Sequence, residues 1–348
     1  MSTDEATTGA ATWQDPDWRA AALDWAADRL AERGMVPDGD PEQRHVRAWS
    51  TAFRLPVRGG AVWLKSVGPG SAQEPALVRA LGERVPEHVL VPLAVHRERR
   101  LMLLPDGGAT MREAVGAGSV QAWEVMLRDY AQLQRDVLPH AEDMVALGVP
   151  DLRPERLPQL VPELLDDDEF QLRGRPDGLA EDVQDRLRAG LGEYGELCRR
   201  LADSGIPATL QHDDLHDANV FVSDGRYRFF DWGDASVAHP FLSLRVPLRV
   251  AGQALGVPNG DPVLFRLRDA YLEPWSSHGS PAALRDQVRI ALRVSPLPRA
   301  MTWRRILCGV HPAERTEWQT AVPWWTAEYL QPAILTAPAA APAGRPGD

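Results

Sequence analysis

The stretch from residue 211 to residue 234, QHDDLHDANVFVSDGRYRFFDWGD, constrains the chain more than any other. Asn219–Val222 and Arg226–Phe230 are short runs of the β-branched and aromatic residues that suit strands. Ser223-Asp224-Gly225 lies between them, and Asp-Gly flanked by such runs signals a hairpin. Pairing Val222 with Tyr227 sets Asn219 opposite Phe230, with Asp231 one rung away. The open end of the hairpin therefore gathers an amide oxygen and a carboxylate. Asp214 enters the same end from the preceding loop. Oxygen donors of this kind suit Mg²⁺, which is held by one or two carboxylates together with substrate phosphates. The carboxylate that the metal does not need is left to accept a hydroxyl proton.

A second signal comes from the basic residues. Lys and Arg together number 38, and Lys65 is the sole lysine. A lysine is a compact ammonium on a flexible stem, whereas arginine is a planar fork. A chain that uses arginine everywhere else and keeps one lysine has either a site where the guanidinium does not fit or a chance survivor on the surface. Lys65 ends the β-prone run Val62-Trp63-Leu64-Lys65.

An Asp, an Asn five residues on, and an Asp-aromatic-Gly segment reproduce the protein-kinase division between base and metal ligands. His212-Asp213-Asp214-Leu215-His216-Asp217-Ala218-Asn219 and Asp231-Trp232-Gly233-Asp234 resemble the aminoglycoside-phosphotransferase family, whose motif reads H-G-D-L-H-x-x-N, then a hairpin, then D-W-G-D. The resemblance implies an α+β, two-lobed, protein-kinase-like fold, with a small N-terminal β-sheet lobe carrying a helix and a larger, mainly helical C-terminal lobe. It implies ATP and Mg²⁺ as cofactors, Asp214 as catalytic base, Asn219 and Asp231 as metal ligands, and Lys65 as the phosphate-binding lysine. Glu74 is the implied partner of Lys65. Pro75 puts Glu74 at the start of its helix, and Glu83 is the second candidate. Backbone near Leu104 to Asp106 would meet adenine. No G-x-G-x-x-G precedes Lys65; Trp49-Ser50-Thr51 stands there, with Ser50 and Thr51 either contacting phosphates or forming an ordinary turn. Trp63 stands where protein kinases carry a small residue over adenine, and Asp213 stands where the motif has glycine.

The rest of the chain is consistent with this organisation. Residues 1–15 are expected to be a flexible tail and 16–105 the N-lobe. Within the N-lobe the patterns predict a helix over Asp17–Arg33, strands over Val46–Ser50, Ala52–Val57 and Ala61–Val67, a helix over Pro75–Arg84, and strands over Val89–Val95 and Leu101–Leu104. Residues 106–335 form the expected C-lobe. Trp123, Met126, Leu127, Tyr130 and Leu133 mark one helix face, and Leu179 to Leu201 mark a longer helix. The Pro/Ala-rich residues 336–348 read as a disordered tail.

Composition sets the outer bounds. A net charge of −11 disfavours nucleic-acid binding. The chain has no apolar run long enough to span a membrane and opens without a secretory signal, so a cytoplasmic location is expected. Cys198 and Cys308 form no metal-binding or disulfide pattern. His212 and His216 are expected to brace the catalytic loop; the competing reading makes them ligands of a metal-dependent hydrolase. The run Asp166–Glu169 reads as a solvated loop or as an attractor for a cationic substrate. Trp275, Trp303, Trp318, Trp324 and Trp325 are expected to be mostly core. The reading that follows is an ATP- and Mg²⁺-dependent transfer of the γ-phosphoryl group to a hydroxyl of a small molecule, such as an aminoglycoside, amino sugar, sugar or amino alcohol. A catalytically inactive nucleotide-binding regulatory module is the alternative.

Overall fold

The computed structural model describes residues 7–336 apart from 117, 224 and 317. The expected C-terminal tail from 337 onward and residues 1–6 lie outside the described residues, as does one residue of the Ser223–Gly225 turn.

Five strands form one antiparallel sheet in the N-terminal part: β1 (Glu42–Arg47), β2 (Ser50–Val57), β3 (Gly60–Val67), β4 (Ala94–His96) and β5 (Leu101–Pro105), in the order β1-β2-β3-β5-β4. Side chains alternate across β3. Val62 and Leu64 face the helix Pro16–Glu32 and pack with Phe53, Leu55, Leu101 and Leu103 against its Ala22, Ala26 and Leu30. Asp15 caps that helix by accepting from the Trp18 amide. Lys65 points to the opposite face, where the helix Glu74–Arg84 buries Leu77, Val78 and Leu81 in the main core.

β1 begins four residues before the expected strand. Its sequence, EQRHVR, is half charged because β1 is a sheet edge, and its register slips between Gln43 and His45. The expected strand over Val89–Val95 shortens to Ala94–His96. Pro92 has no amide to offer a ladder, and Val89 makes an isolated bridge to Phe229 instead.

The expected flexible tail is corrected for residues 8–14. Thr8 bridges Val310, and Ala10–Gln14 is a short helix. Trp13 is only 1% exposed, and its indole donates to the Arg47 carbonyl. A tail-like composition concealed one anchoring aromatic. Trp13→Ala is therefore expected to lower stability by about 3–5 kcal/mol, the usual cost of truncating a buried Trp. A denaturant midpoint unchanged from wild type would contradict this placement.

Beyond β5 the chain is helical. Trp123, Met126, Leu127, Tyr130 and Leu133 of the helix Val120–Asp136 are all fully buried, as their spacing predicts. The single helix expected over Leu179–Leu201 is two, Glu181–Ala189 and Leu191–Ala202, separated at Gly190, a poor helix former. Among the C-terminal helices, Pro296–Cys308 matters most to the site. Two further two-stranded sheets follow: β6 (Thr209–Gln211) pairs with β9 (Ser236–Ala238) across a long connection, and β7 (Val220–Ser223) with β8 (Arg226–Phe229) as a hairpin. The register is the expected one, with Val222 opposite Tyr227 and the Phe230 amide bonded to the Asn219 carbonyl. Gly225 closes the turn at φ +71°, a conformation glycine adopts without a Cβ penalty. Among the described residues no helix is long and apolar enough to cross a membrane.

Candidate active site

The cleft between sheet and helices is built on Lys65. Its Nζ lies 2.6 Å from Glu74 Oε1 and 2.6 Å from Asp231 Oδ1. Burial works against the ammonium, but Asp231 and Glu74 outweigh it and raise the Lys65 pKa. Burial pushes the Glu74 carboxyl up to about 7 against the pull of Lys65. Asp231, though its side chain is 48% exposed, loses some hydration in the cleft, yet Lys65 holds it below the usual carboxylate value. Glu74 Oε1 accepts from the Trp232 amide as well, at 3.0 Å, so one carboxylate ties the lysine to the Asp231 segment. Gly233 permits this approach, since a Cβ there would lie 2.9 Å from Ser71 Oγ and 3.3 Å from Glu74 Oε2. Between the two candidates for the partner of Lys65, the structure places Glu74 in contact; Glu83 pairs with Arg79 at the surface.

Asp214 and Asn219 face the same cleft end. Asn219 Nδ2 donates to the Asp214 carbonyl at 3.0 Å and to Asp214 Oδ2 at 3.3 Å. Its amide nitrogen is thereby committed to the loop, and its oxygen is the donor left for a cation. His216 Nδ1 accepts from the Ala218 amide, so the hydrogen resides on Nε2, 3.5 Å from Asp214 Oδ2. His212 Nε2 donates to the Phe230 carbonyl at 2.8 Å, and burial keeps the ring neutral. Both histidines brace the loop. Among the described residues, the His, Cys, Asp and Glu side chains close enough to share an ion are Glu87, His88 and Asp136, remote in sequence from the HDDLH segment. The hydrolase reading thus lacks a ligand cluster at that segment.

The other sequence candidates divide. Ser50 lines the cleft with Lys65, Asp214, Asp231 and Asp234. Thr51, its neighbour, points the other way: it is fully buried, its hydroxyl donates to the His45 carbonyl, and it accepts from Gln43. Thr51 is therefore corrected from a phosphate contact to a sheet-internal bond. The turn itself is Ala48-Trp49, with Ser50 and Thr51 already in β2. Leu104 lines an apolar recess with Val78, Leu90, Phe229 and Phe230, which opens onto Lys65 and Asp231. The Asp106 side chain accepts from the Gly108 amide and shapes the turn after β5. The acidic run is fully matched by arginines: Asp166 with Arg188, Asp167 with Arg304, Asp168 with Arg173 and Glu169 with Arg315. Those carboxylates are not spare charge for a cationic substrate. Trp275 is core; Trp303 lines the cleft and stacks with Trp318 at 5.4 Å, and Trp49 meets both edge-on. His239 caps the Phe241 amide and packs in the core, while Asp234 pairs with Arg299.

Two arginines were not legible as site residues. Arg112 grips the buried Asp217 with two hydrogen bonds, at 3.1 and 2.7 Å, and steadies the loop that carries Asp214. Arg299 reaches Asp214 Oδ1 at 2.8 Å and Asp234 Oδ2 at 2.6 Å. Burial raises the Asp214 carboxyl, but Arg299 and the His216 hydrogen bond dominate and hold it well below the usual range.

Neither a family model nor a curated protein matches the chain, but solved structures do. A macrolide 2′-phosphotransferase type I is 16% identical with a TM-score of 0.55, over 87% of this chain and 96% of that one. A mutant aminoglycoside 2′-phosphotransferase-IIIa in complex with GDP is 14% identical with a TM-score of 0.60, over 88% and 97%. An ethanolamine kinase from Plasmodium vivax is 13% identical with a TM-score of 0.58, over 85% of each chain. These likenesses cover 85–88% of the chain, which has the kinase-like fold of these phosphotransferases and kinases.

Proposed function

We propose that the chain is an ATP- and Mg²⁺-dependent phosphotransferase that moves the γ-phosphoryl group to a hydroxyl of a small molecule. The observation that carries this reading is the sole lysine of the chain held 2.6 Å from both Glu74 and Asp231. Around it, the cleft has an apolar recess at one end and Lys65, Ser50 and Asp231 at the other. That division fits a nucleotide, with its base in the recess near Leu104 and its phosphates at Lys65. Two hard oxygen donors, from Asn219 and Asp231, fit Mg²⁺, whose bound charge would neutralise the triphosphate. The GDP complex of a neighbour with the same fold supports nucleotide use. Lys65 would hold the phosphates, and Asp214 would orient the acceptor hydroxyl and take its proton. Catalysis would rest on positioning and charge neutralisation.

The acceptor is an amino sugar, sugar, aminoglycoside or amino alcohol, in keeping with neighbours named for macrolide, aminoglycoside and ethanolamine. One observation favours the regulatory-module alternative: Arg299 occupies one oxygen of the base. The deciding experiment measures Mg²⁺-dependent ATP consumption against a panel of hydroxylated amines and sugars, beside K65A and D214A. Turnover with a panel compound, absent in both variants, is expected. Nucleotide binding without transfer to any compound or to water would favour the module, and absence of nucleotide binding would overturn both readings.

A further inference from the structure

Arg299 is a buried cation at the reacting end of the cleft, 5% exposed, on the helix Pro296–Cys308. One guanidinium nitrogen, Nη2, donates to Asp214 Oδ1 at 2.8 Å. The other, Nη1, donates to Asp234 Oδ2 at 2.6 Å and lies 3.5 Å from Asp213 Oδ2. The indoles of Trp303 and Trp325 flank the group, with ring centroids 5.5 and 5.9 Å from its carbon. Three carboxylates and two rings leave the fork little freedom to rotate.

Two duties are combined in this arrangement. The first is charge compensation. Asp213 has φ +65°, a conformation that favours glycine, and it places a buried carboxylate directly beside Asp214. Arg299 and the amide of Gln211, which donates to Asp213 Oδ1 at 2.6 Å, make that residue tolerable. The second duty is aim. A carboxylate has two oxygens, and Arg299 claims Oδ1. The other, Oδ2, meets only two longer contacts, Asn219 Nδ2 at 3.3 Å and His216 Nε2 at 3.5 Å, either of which an acceptor hydroxyl can replace. A lone carboxylate on a loop would rotate about its final bond, whereas this one is pinned from both sides.

We infer that Arg299 is a positioning residue for phosphoryl transfer: it fixes the Asp214 carboxylate so that Oδ2 receives the acceptor proton, a role separate from its neutralisation of Asp213. The inference rests on the phosphotransferase reading above. Removing Arg299 would leave nucleotide contacts in place and misaim the base, so the loss falls on kcat and not on nucleotide affinity.

A double-mutant cycle separates the two duties. Wild type, D213G, R299M and D213G/R299M are compared for kcat toward the panel acceptor, or toward water where no acceptor is turned over, and for Mg-ATP affinity. R299M is expected to lower kcat about 100-fold relative to its parent in either background, with Mg-ATP affinity changed by less than about threefold. The D213G background removes the most buried of the three carboxylates that R299M strips of a partner, Asp214 and Asp234 being more exposed, which favours a folded protein. R299K retains the charge without the fork and is expected to fall about tenfold in kcat. A cost below about threefold for R299M in the D213G background would show that Arg299 only neutralises neighbouring carboxylates and would overturn the inference. A rise in kcat would overturn it too, by making Arg299 a block on the base. Wild-type protein that binds Mg-ATP and transfers phosphoryl neither to the panel nor to water would instead sink the phosphotransferase reading, and the role of Arg299 with it.

Discussion

Asp214→Asn should cut phosphoryl transfer about 10²–10⁴-fold while leaving nucleotide binding nearly intact. The substitution keeps the shape of the side chain. The introduced amide would still offer its oxygen to Arg299 Nη2, which lies 2.8 Å from Asp214 Oδ1 in the wild type. It would turn its nitrogen toward the donors Asn219 Nδ2 and His216 Nε2, where Asp214 Oδ2 now sits at 3.3 and 3.5 Å, so those two contacts are lost and the loop gives up some stability. That position then has no lone pair for a hydroxyl proton. General-base removal of this kind costs about 10²–10⁴-fold in turnover. Lys65, Glu74 and Asp231 do not touch the altered group, so Mg-ATP affinity should change by less than about threefold. Arg299 keeps Asp234 and Asp213 as partners, so its charge is not stranded. Rapid-quench measurement of γ-phosphoryl transfer beside equilibrium nucleotide binding checks both halves. Transfer at the wild-type rate would remove Asp214 from the role of base, and lost nucleotide binding would show that its charge is needed for the ground state.

The parts of the site that could be read from the sequence are those whose geometry is local. The β7–β8 hairpin was legible because a turn signal and two β-prone runs determine which residues face each other, and Asn219, Phe230 and Asp231 followed from the register. Lys65 was legible for a compositional reason, as the one lysine among 38 basic residues. The same composition hid Arg299 and Arg112. Arginine is the default cation of this chain, so another arginine carries no signal. Their contacts also join residues 85 and 105 positions apart, and no periodicity reports on that. Asp213 offered the one available hint: a residue at a glycine position of the motif implies a positive φ, and a second carboxylate directly beside Asp214 needs a cation. Thr51 was avoidable. Lys65 pairs with Ala52, so Ser50 and Ala52 share its face and Thr51 opposes Ser66 on the other. The first four residues of the edge strand β1 were missed because they are polar, and the anchored Trp13 because its helix has only five residues; tertiary contact gives both their order.

Lys65→Met should lower both function and stability, and the stability loss should depend on pH. In function, the variant removes the positive charge expected to meet the phosphates, with a loss of about 10²–10³-fold in turnover and weaker nucleotide binding. In stability, it strands Glu74, which is 1% exposed and keeps only the Trp232 amide as a donor to Oε1 among the described contacts. Removing one partner of a buried pair costs about 3–5 kcal/mol when the survivor stays charged. Glu74 has an escape, because it can bind a proton. Burial already raises its carboxyl to about 7 with Lys65 opposing, and without the lysine it rises further. A carboxyl raised above its unfolded value contributes stability that is fully present below about pH 4.3 and is lost as pH climbs through the folded value. In the variant that loss continues beyond pH 7, whereas in the wild type it is complete near there. Asp231 works in the opposite sense: its depressed carboxyl adds stability above about pH 4, and Lys65→Met forfeits much of that at any higher pH. The difference between variant and wild type in chemical-denaturation stability should therefore be smaller at pH 5 than at pH 8, measured without nucleotide. An equal loss at both values would mean that Glu74 is not buried against Lys65, and the tie between the sheet, the helix Glu74–Arg84 and the Asp231 segment would have to be redrawn.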